Sequence, residues 1–258
     1  MNSGFYAATT GLMAKFQALD VAANNLANSS TTGFKAQKEF YSAMQAQLAS
    51  PSVSMAGGAA RQTPVSNAIN QAVNNFSVLG GAKTDFSAGS LENTGNEMDV
   101  ALNGPGFITV AAPSGTAYTR NGSLALGPNG ELLSSSGAAV LGKNGPIQLP
   151  PGQVSIGSDG TVSVNGTPVD QIQLAEFGKT TPPLQVGASL FVAAPGAAAQ
   201  PAAASTLLQG FLEGSNMNVI GGSVGLVGLQ RNAEMLEKAL TMFNNDFNRT
   251  AIEQIAKT

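Results

Sequence analysis

Phe5–Leu26 reads FYAATTGLMAKFQALDVAANNL, and its stripe residues Phe5, Thr9, Leu12, Phe16, Leu19, Ala23 and Leu26 advance in alternating steps of four and three. Near the other end, Leu226–Phe247 reads LVGLQRNAEMLEKALTMFNNDF. It keeps the same rhythm through Leu226, Leu229, Ala233, Leu236, Leu240, Phe243 and Phe247. A heptad stripe is covered only by another stripe, so these two helices are expected to form a coiled coil with each other or with neighbouring copies. The N-terminal helix is not stable alone, because burying its few large side chains returns less free energy than ordering its backbone costs. Both termini are therefore expected to be disordered in a free monomer and to fold on incorporation into an assembly.

Outward from the first stripe, the helix is expected over about Ser3 to Ala27, capped by Asn2 or Ser3. Asn24, Asn25 and Asn28, followed by Ser29, Ser30, Thr31, Thr32 and Gly33, end it, since these residues bond their own backbone or accept positive φ. Residues 35–83, rich in Ala, Gly, Ser, Asn and Gln from Ser50 to Gly81, read as an extended connector. From Thr84 onward Asn-Gly or Asp-Gly pairs recur at Asn103-Gly104, Asn121-Gly122, Asn129-Gly130, Asn144-Gly145, Asp159-Gly160 and Asn165-Gly166, each suited to a tight turn. Short strands fit between them at Met98–Leu102, Phe107–Ala111, Ala117–Arg120, Val154–Ile156, Thr161–Val164 and Ile172–Phe177. The expected class is α+β, mainly β with terminal α-helices, the middle segment forming a small antiparallel barrel or sandwich-like domain. Its divisions are 1–34 (helix and turn), 35–83 (connector), 84–192 (β domain), 193–214 (Ala/Pro linker) and 215–258 (C-terminal helix).

Composition narrows the function. Charged residues make up only 10% of the 258, the formal net charge is −3, and there is no His, Cys or Trp. So little charge suits a surface covered by other subunits. With no basic patch, nucleic acid is not an expected partner. No apolar run reaches the roughly 18 to 20 residues a bilayer demands, so membrane insertion is not expected. The N-terminus lacks the pattern of a cleavable secretory signal. Without His or Cys the usual bases, thiol nucleophiles and most transition-metal ligands are missing, so no enzyme, cofactor or metal site is expected. Glu92, Glu97 and Asp99 form the closest acidic cluster, but their spacing does not match an EF-hand loop and they read as turn residues. Gly104-Pro105-Gly106 resembles a nucleotide loop only superficially, since Pro105 interrupts it and no helix follows.

The segment Ala23-Asn24-Asn25-Leu26-Ala27-Asn28-Ser29-Ser30-Thr31-Thr32-Gly33-Phe34-Lys35 resembles the N-terminal signature of the flagellar rod and hook proteins. Thr94–Leu102, Gly104–Phe107 and Tyr118–Gly122 resemble the core of that family's middle domain. Gln209-Gly210, Leu212-Glu213, Ser215-Asn216 and Gln230-Arg231 are similar to the entry of its C-terminal helix. The resemblance implies a structural basal-body rod subunit, exported unfolded through the flagellar type III apparatus and packed helically across the periplasm. Its partners would be copies of itself and other axial proteins. Gly221, Gly222, Gly225 and Gly228 depart from the family pattern, and the start of the last helix is expected to be frayed or late. Ala233 stands where distal-rod relatives tend to carry Tyr. Both departures favour a proximal over a distal rod or hook subunit. A reading outside the family is a secreted surface or scaffold adaptor whose β domain binds a ligand; a carboxylate hydrolase is remote.

The expected assembly surface comprises Phe5, Leu12, Phe16, Leu19 and Leu26 with Leu226, Leu229, Leu236, Leu240, Phe243 and Phe247. Asn24, Asn25 and Asn28 join it either as helix-end caps or as inter-subunit hydrogen-bonding groups. Gly33 serves either as a recognition element or as a source of positive φ.

Overall fold

The computed structural model describes residues 2–45, 75–113, 115–178, 180–202 and 204–255. It divides into two compact units. The first holds Met1–Ala23, Gln37–Lys83 and Gly221–Thr258; the second holds Asn24–Ala36 and Thr84–Ile220.

Two helices dominate the first unit, α1 (Asn2–Ala27) and α2 (Val219–Ile255). Ala-rich sequence gives α1 high helix propensity, and the two helices pack together. Phe16, Leu19 and Ala23 of α1 line a shared groove with Leu226 and Ala233 of α2. The most buried positions are small ones, Ala14, Ala18 and Ala233. Residues read as connector supply two further strands, β1 (Gln37–Gln45) and β2 (Asn75–Thr84), which pair as a two-stranded sheet; residues 46–74 of that stretch lie outside the described residues. The expectation of a frayed or late C-terminal helix does not hold, because α2 runs through all four of its early glycines. Once the long segment beyond Leu229 is helical, propagating backward through a Gly costs only about 0.5–1 kcal/mol.

The second unit is built of short antiparallel strands. They are β3 (Leu91–Asn93), β4 (Val100–Asn103), β5 (Phe107–Ala112), β6 (Gly115–Thr119), β7 (Leu124–Leu126), β8 (Leu132–Ser134), β9 (Ala139–Gly142) and β10 (Gly145–Pro146). Then follow β11 (Val154–Ile156), β12 (Thr161–Val164), β13 (Thr167–Gln171), β14 (Leu174–Glu176), β15 (Leu184–Gln185), β16 (Leu190–Val192), β17 (Gln200–Pro201), β18 (Thr206–Gln209) and β19 (Phe211–Glu213). The stretch read as a linker, 193–214, thus contributes strands that pair with β14, β4 and β3.

Ten of the strands join in one sheet, β15-β16-β6-β5-β9-β8-β7, with β10 on β9 and β14 and β17 branching from β5. No sheet closes, so the barrel alternative is corrected. The reason lies in β5. Leu174 and Ala175 of β14 pair with its first two residues, Ile108 and Phe107, while Val140 and Ala139 of β9 pair with Val110 and Ala111. An edge that changes partner along its length forks instead of curling. The layered alternative fits better. On one face Ile108, Val110 and Ala117 pack with Val154, Ile156, Val162 and Val164 of the β11-β12-β13 meander. On the other, Phe107, Tyr118 and Phe191 form an aromatic cluster with Phe86 and Phe177, the Tyr118 and Phe177 rings meeting edge-on at 4.8 Å.

Most of the Asn-Gly and Asp-Gly pairs act as turns. Asn165 (φ 52°) and Gly166 (φ 79°) form the two-residue connection between β12 and β13, with Val164 opposite Thr167. Asn121-Gly122 differs: an added Cβ at Gly122 would overlap the Val100 carbonyl, so this glycine permits close packing instead of a hairpin.

An added Cβ at Gly225 or Gly228 meets nothing within 4 Å. Gly225→Ala and Gly228→Ala are therefore expected to stabilise α2 by about 0.5–1 kcal/mol each. Chemical denaturation followed by circular dichroism at helical wavelengths measures this.

Candidate functional site

The chain leaving α1 passes directly into the second unit. Asn28 N–H donates to Asn24 O at 3.1 Å, the Asn28 side-chain amide donates to the same carbonyl at 2.9 Å, and Thr31 N–H donates to Asn28 O. The Asn28 side chain thus bonds the last turn of α1, while Asn24 takes part through its backbone carbonyl. Gly33 follows with φ +67°, and an added Cβ would strike the backbone of Arg120 and Asn121. Positive φ and contact at van der Waals limit both demand glycine here. Its N–H donates to Glu213 O at 2.7 Å. Phe34 and Lys35 are fully buried.

Lys35 reaches the carboxylate of Glu213, its Nζ lying 2.7 Å from Oε1. Arg120 approaches the other oxygen, Nη1 to Oε2 at 3.3 Å. All three side chains are buried. Further donors and acceptors complete the arrangement: Gly89 N–H to Glu213 Oε1 at 3.0 Å, Lys35 Nζ to Ser87 O at 2.7 Å, and Arg120 Nη2 to Gly104 O at 2.7 Å. The guanidinium also stands 5.0 Å from the centroid of the Phe107 ring, while its Nε has no hydrogen-bond partner. Next to the triad, Asn216 Oδ1 accepts from Ala36 N–H at 2.7 Å and its amide donates to Asp85 O at 2.8 Å. Burial lowers the pKa of Lys35; the hydrogen bond and charge of Glu213 raise it back in part, and the Arg120 charge lowers it again. Burial likewise lowers that of Arg120, opposed by Glu213.

A second set of contacts fastens the stretch before β4. Thr94 Oγ1 donates to Asp99 Oδ2 at 2.7 Å, Thr94 N–H donates to Gly210 O at 2.9 Å, and Gly210 N–H donates to Asp99 O at 2.8 Å. Glu97 and Glu92 are exposed while Asp99 is buried, so the acidic residues do not converge. Among the described residues no group of His, Cys, Asp or Glu is placed to hold a metal ion. Gly104-Pro105-Gly106 is a packing bend, with Gly106 N–H donating to Ser205 Oγ at 2.7 Å. A cleft of about 650 Å³ has Lys143 and Asp159 as its charged lining residues beside Thr, Gln and Tyr side chains. This set contains no paired nucleophile and base.

The residues expected on the assembly surface are distributed as follows. Leu12, Leu19, Leu26, Leu226, Leu229, Leu236 and Leu240 are half-buried, and Phe16 is 49% exposed. Asn25 and Gly33 are buried, Asn28 is half-buried and Asn24 is exposed. The side chains of Phe5, Phe243 and Phe247 lie outside the described residues. Sequence reasoning missed the triad itself. Lys35, Arg120 and Glu213 each sit within one of the quoted motifs, and a charged residue amid apolar and turn residues in a chain this poor in charge is the signal that marks them.

The geometry is that of a structural protein whose motifs serve packing. Residues 5–35 match the model of the flagella basal body rod protein family, and residues 101–164 that of the flagellar hook protein FlgE/F/G D1 domain. The whole chain aligns with the flagellar basal-body rod protein FlgF of Caulobacter vibrioides, 31% identical over 262 residues that cover 99% of that protein. The FlgG rod protein of the same organism is 29% identical over 246 residues, covering 91% of this chain and 92% of the relative. FlgG of Bacillus subtilis is 32% identical over 127 residues, 49% of this chain and 46% of the relative. The chain belongs to the flagellar basal-body rod protein family.

Removing one charge from a buried cluster leaves its partners uncompensated. Glu213→Gln is expected to destabilise the second unit by about 3–5 kcal/mol, read from urea unfolding. Lys35 also links stability to pH. With its folded pKa below the ordinary 10.5, the unfolded chain binds more protons between the lowered value and 10.5, so the contribution of Lys35 to stability rises with pH across that window. Unfolding midpoints recorded across alkaline pH show this rise in the native chain, and Lys35→Met removes it.

Proposed function

We propose that this chain is a subunit of the basal-body rod that polymerises helically through its terminal helices, forming part of the axial drive shaft across the periplasm. The observation that carries the reading is on α2. Its seam residues Leu226, Leu229, Ala233, Leu236 and Leu240 occupy one side, and Val224, Val227, Met235 and Met242 occupy the opposite side, 69%, 48%, 61% and 62% exposed. At about 3.6 residues per turn these are two separate stripes. One helix with two apolar stripes has more surface to cover than a single partner helix covers, which suits side-by-side packing in a tube. The pairing of α1 with α2 is read as a coiled coil in the assembled state.

Its partners are copies of itself and other axial proteins, and the type III export apparatus delivers it. The position favoured is proximal. Ala233, at a position where distal-rod relatives tend to carry Tyr, supports it. A repeated contact that does not close into a ring builds the filament.

Deletion of the residues before Asn24 tests this reading. The truncated chain is expected to keep the second unit folded, since Asn24–Ala36 remain, while incorporation into basal bodies is lost. Basal bodies isolated from cells producing only the truncated chain, probed by immunoblot, report the result; normal incorporation would contradict it.

A further inference from the structure

The first unit carries a groove and a ridge of complementary character. The groove, about 390 Å³, runs between α1 and α2, with an apolar floor of Phe16, Leu19, Ala23, Leu226 and Ala233. Three carboxylates, Asp20, Glu234 and Glu237, stand on its rim beside Gln230, and no basic residue is in the lining. The ridge lies on the adjoining face of α2, with Glu234 at the border between them. Taken at about 100° per residue, Val224, Val227, Arg231, Met235, Lys238 and Met242 fall on one face, so two cations stand among four exposed apolar side chains.

We propose that the ridge of one copy docks into the groove of the next. This rests on the rod-subunit reading and names the surfaces that would join successive copies. Charge selects the occupant: an acidic rim over an apolar floor suits a helix face that presents apolar residues flanked by Arg and Lys, and this chain supplies such a face. Because groove and ridge are different surfaces, the contact is heterologous. Each copy that has its groove filled still offers a ridge, so growth continues without closure. The rim carboxylates and ridge cations are also solvated in the free chain, so their attraction steers encounter and sets register more than it adds affinity.

The natural absence of cysteine gives a clean test. Glu237→Cys and Arg231→Cys are made in two separately tagged full-length chains, co-produced in flagellated cells that lack the native protein. Isolated basal bodies are probed for both tags and for a disulfide-linked species bearing both. The expected result is incorporation of both chains with a doubly tagged cross-link, absent when Lys15→Cys replaces Glu237→Cys. Incorporation without the cross-link overturns the docking inference and leaves the rod reading standing. Absence of both tags from basal bodies sinks the rod reading and the docking inference with it. In parallel, the exposed pair Glu234→Arg with Glu237→Arg is expected to abolish incorporation, and adding Arg231→Glu with Lys238→Glu is expected to restore it. Incorporation unaffected by the first pair contradicts the proposal.

Discussion

A single buried carboxylate organises the second unit. Glu213 faces Lys35 from one side and Arg120 from the other, and its own backbone carbonyl receives the N–H of Gly33. These residues come from the segment after α1, the position just past β6 and the last strand before α2. A buried ionic cluster of this kind adds little net stability, because desolvating its charges offsets most of their attraction. Its effect is on specificity. With Lys35 out of place, Glu213 and Arg120 would be desolvated with one lysine fewer between them, and with Glu213 absent two cations would stand buried without a counter-charge. Alternative threadings of either end of the chain are thereby penalised.

That constraint explains why the quoted motifs take the form they do. Gly33 has no side chain because the chain presses on Arg120 and Asn121. Asn216 bridges Ala36 and Asp85, and Gly210 bonds both Thr94 and Asp99. Residues far apart in sequence are thus joined by short polar contacts inside one folded unit. Lys35 and Glu213 are 178 positions apart, so the ordered unit requires that nearly the whole chain be available.

Much of the secondary structure was legible in the sequence. Val154–Ile156 and Thr161–Val164 are strands to the residue, and α1 and α2 lie where their heptads place them. The helical seam was legible in outline only. Leu12, Leu19 and Leu26 are half-buried while Ala14 and Ala18 are buried most completely, because a heptad stripe marks one side of the helix and at about 100° per residue these alanines lie on the other. The forked sheet was hidden for a similar reason: strand propensity reports that Phe107–Ala112 is extended but not that its edge changes partner midway. Likewise β17, β18 and β19 lie in Ala/Pro-rich and turn-like sequence, and their pairing is dictated by β14, β4 and β3. The motifs drew attention to the right residues, yet charge-pairing over such a sequence separation leaves no local pattern.

The most direct measurement is native-state amide hydrogen exchange of the folded monomer, resolved by residue. If Glu213 locks the unit, the amides of Gly33, Ala36 and Gly89 exchange only through the same global opening as those of Val100 and Leu132 in the core. Faster exchange of the first three through a separate local opening, with the core still protected, would contradict the account.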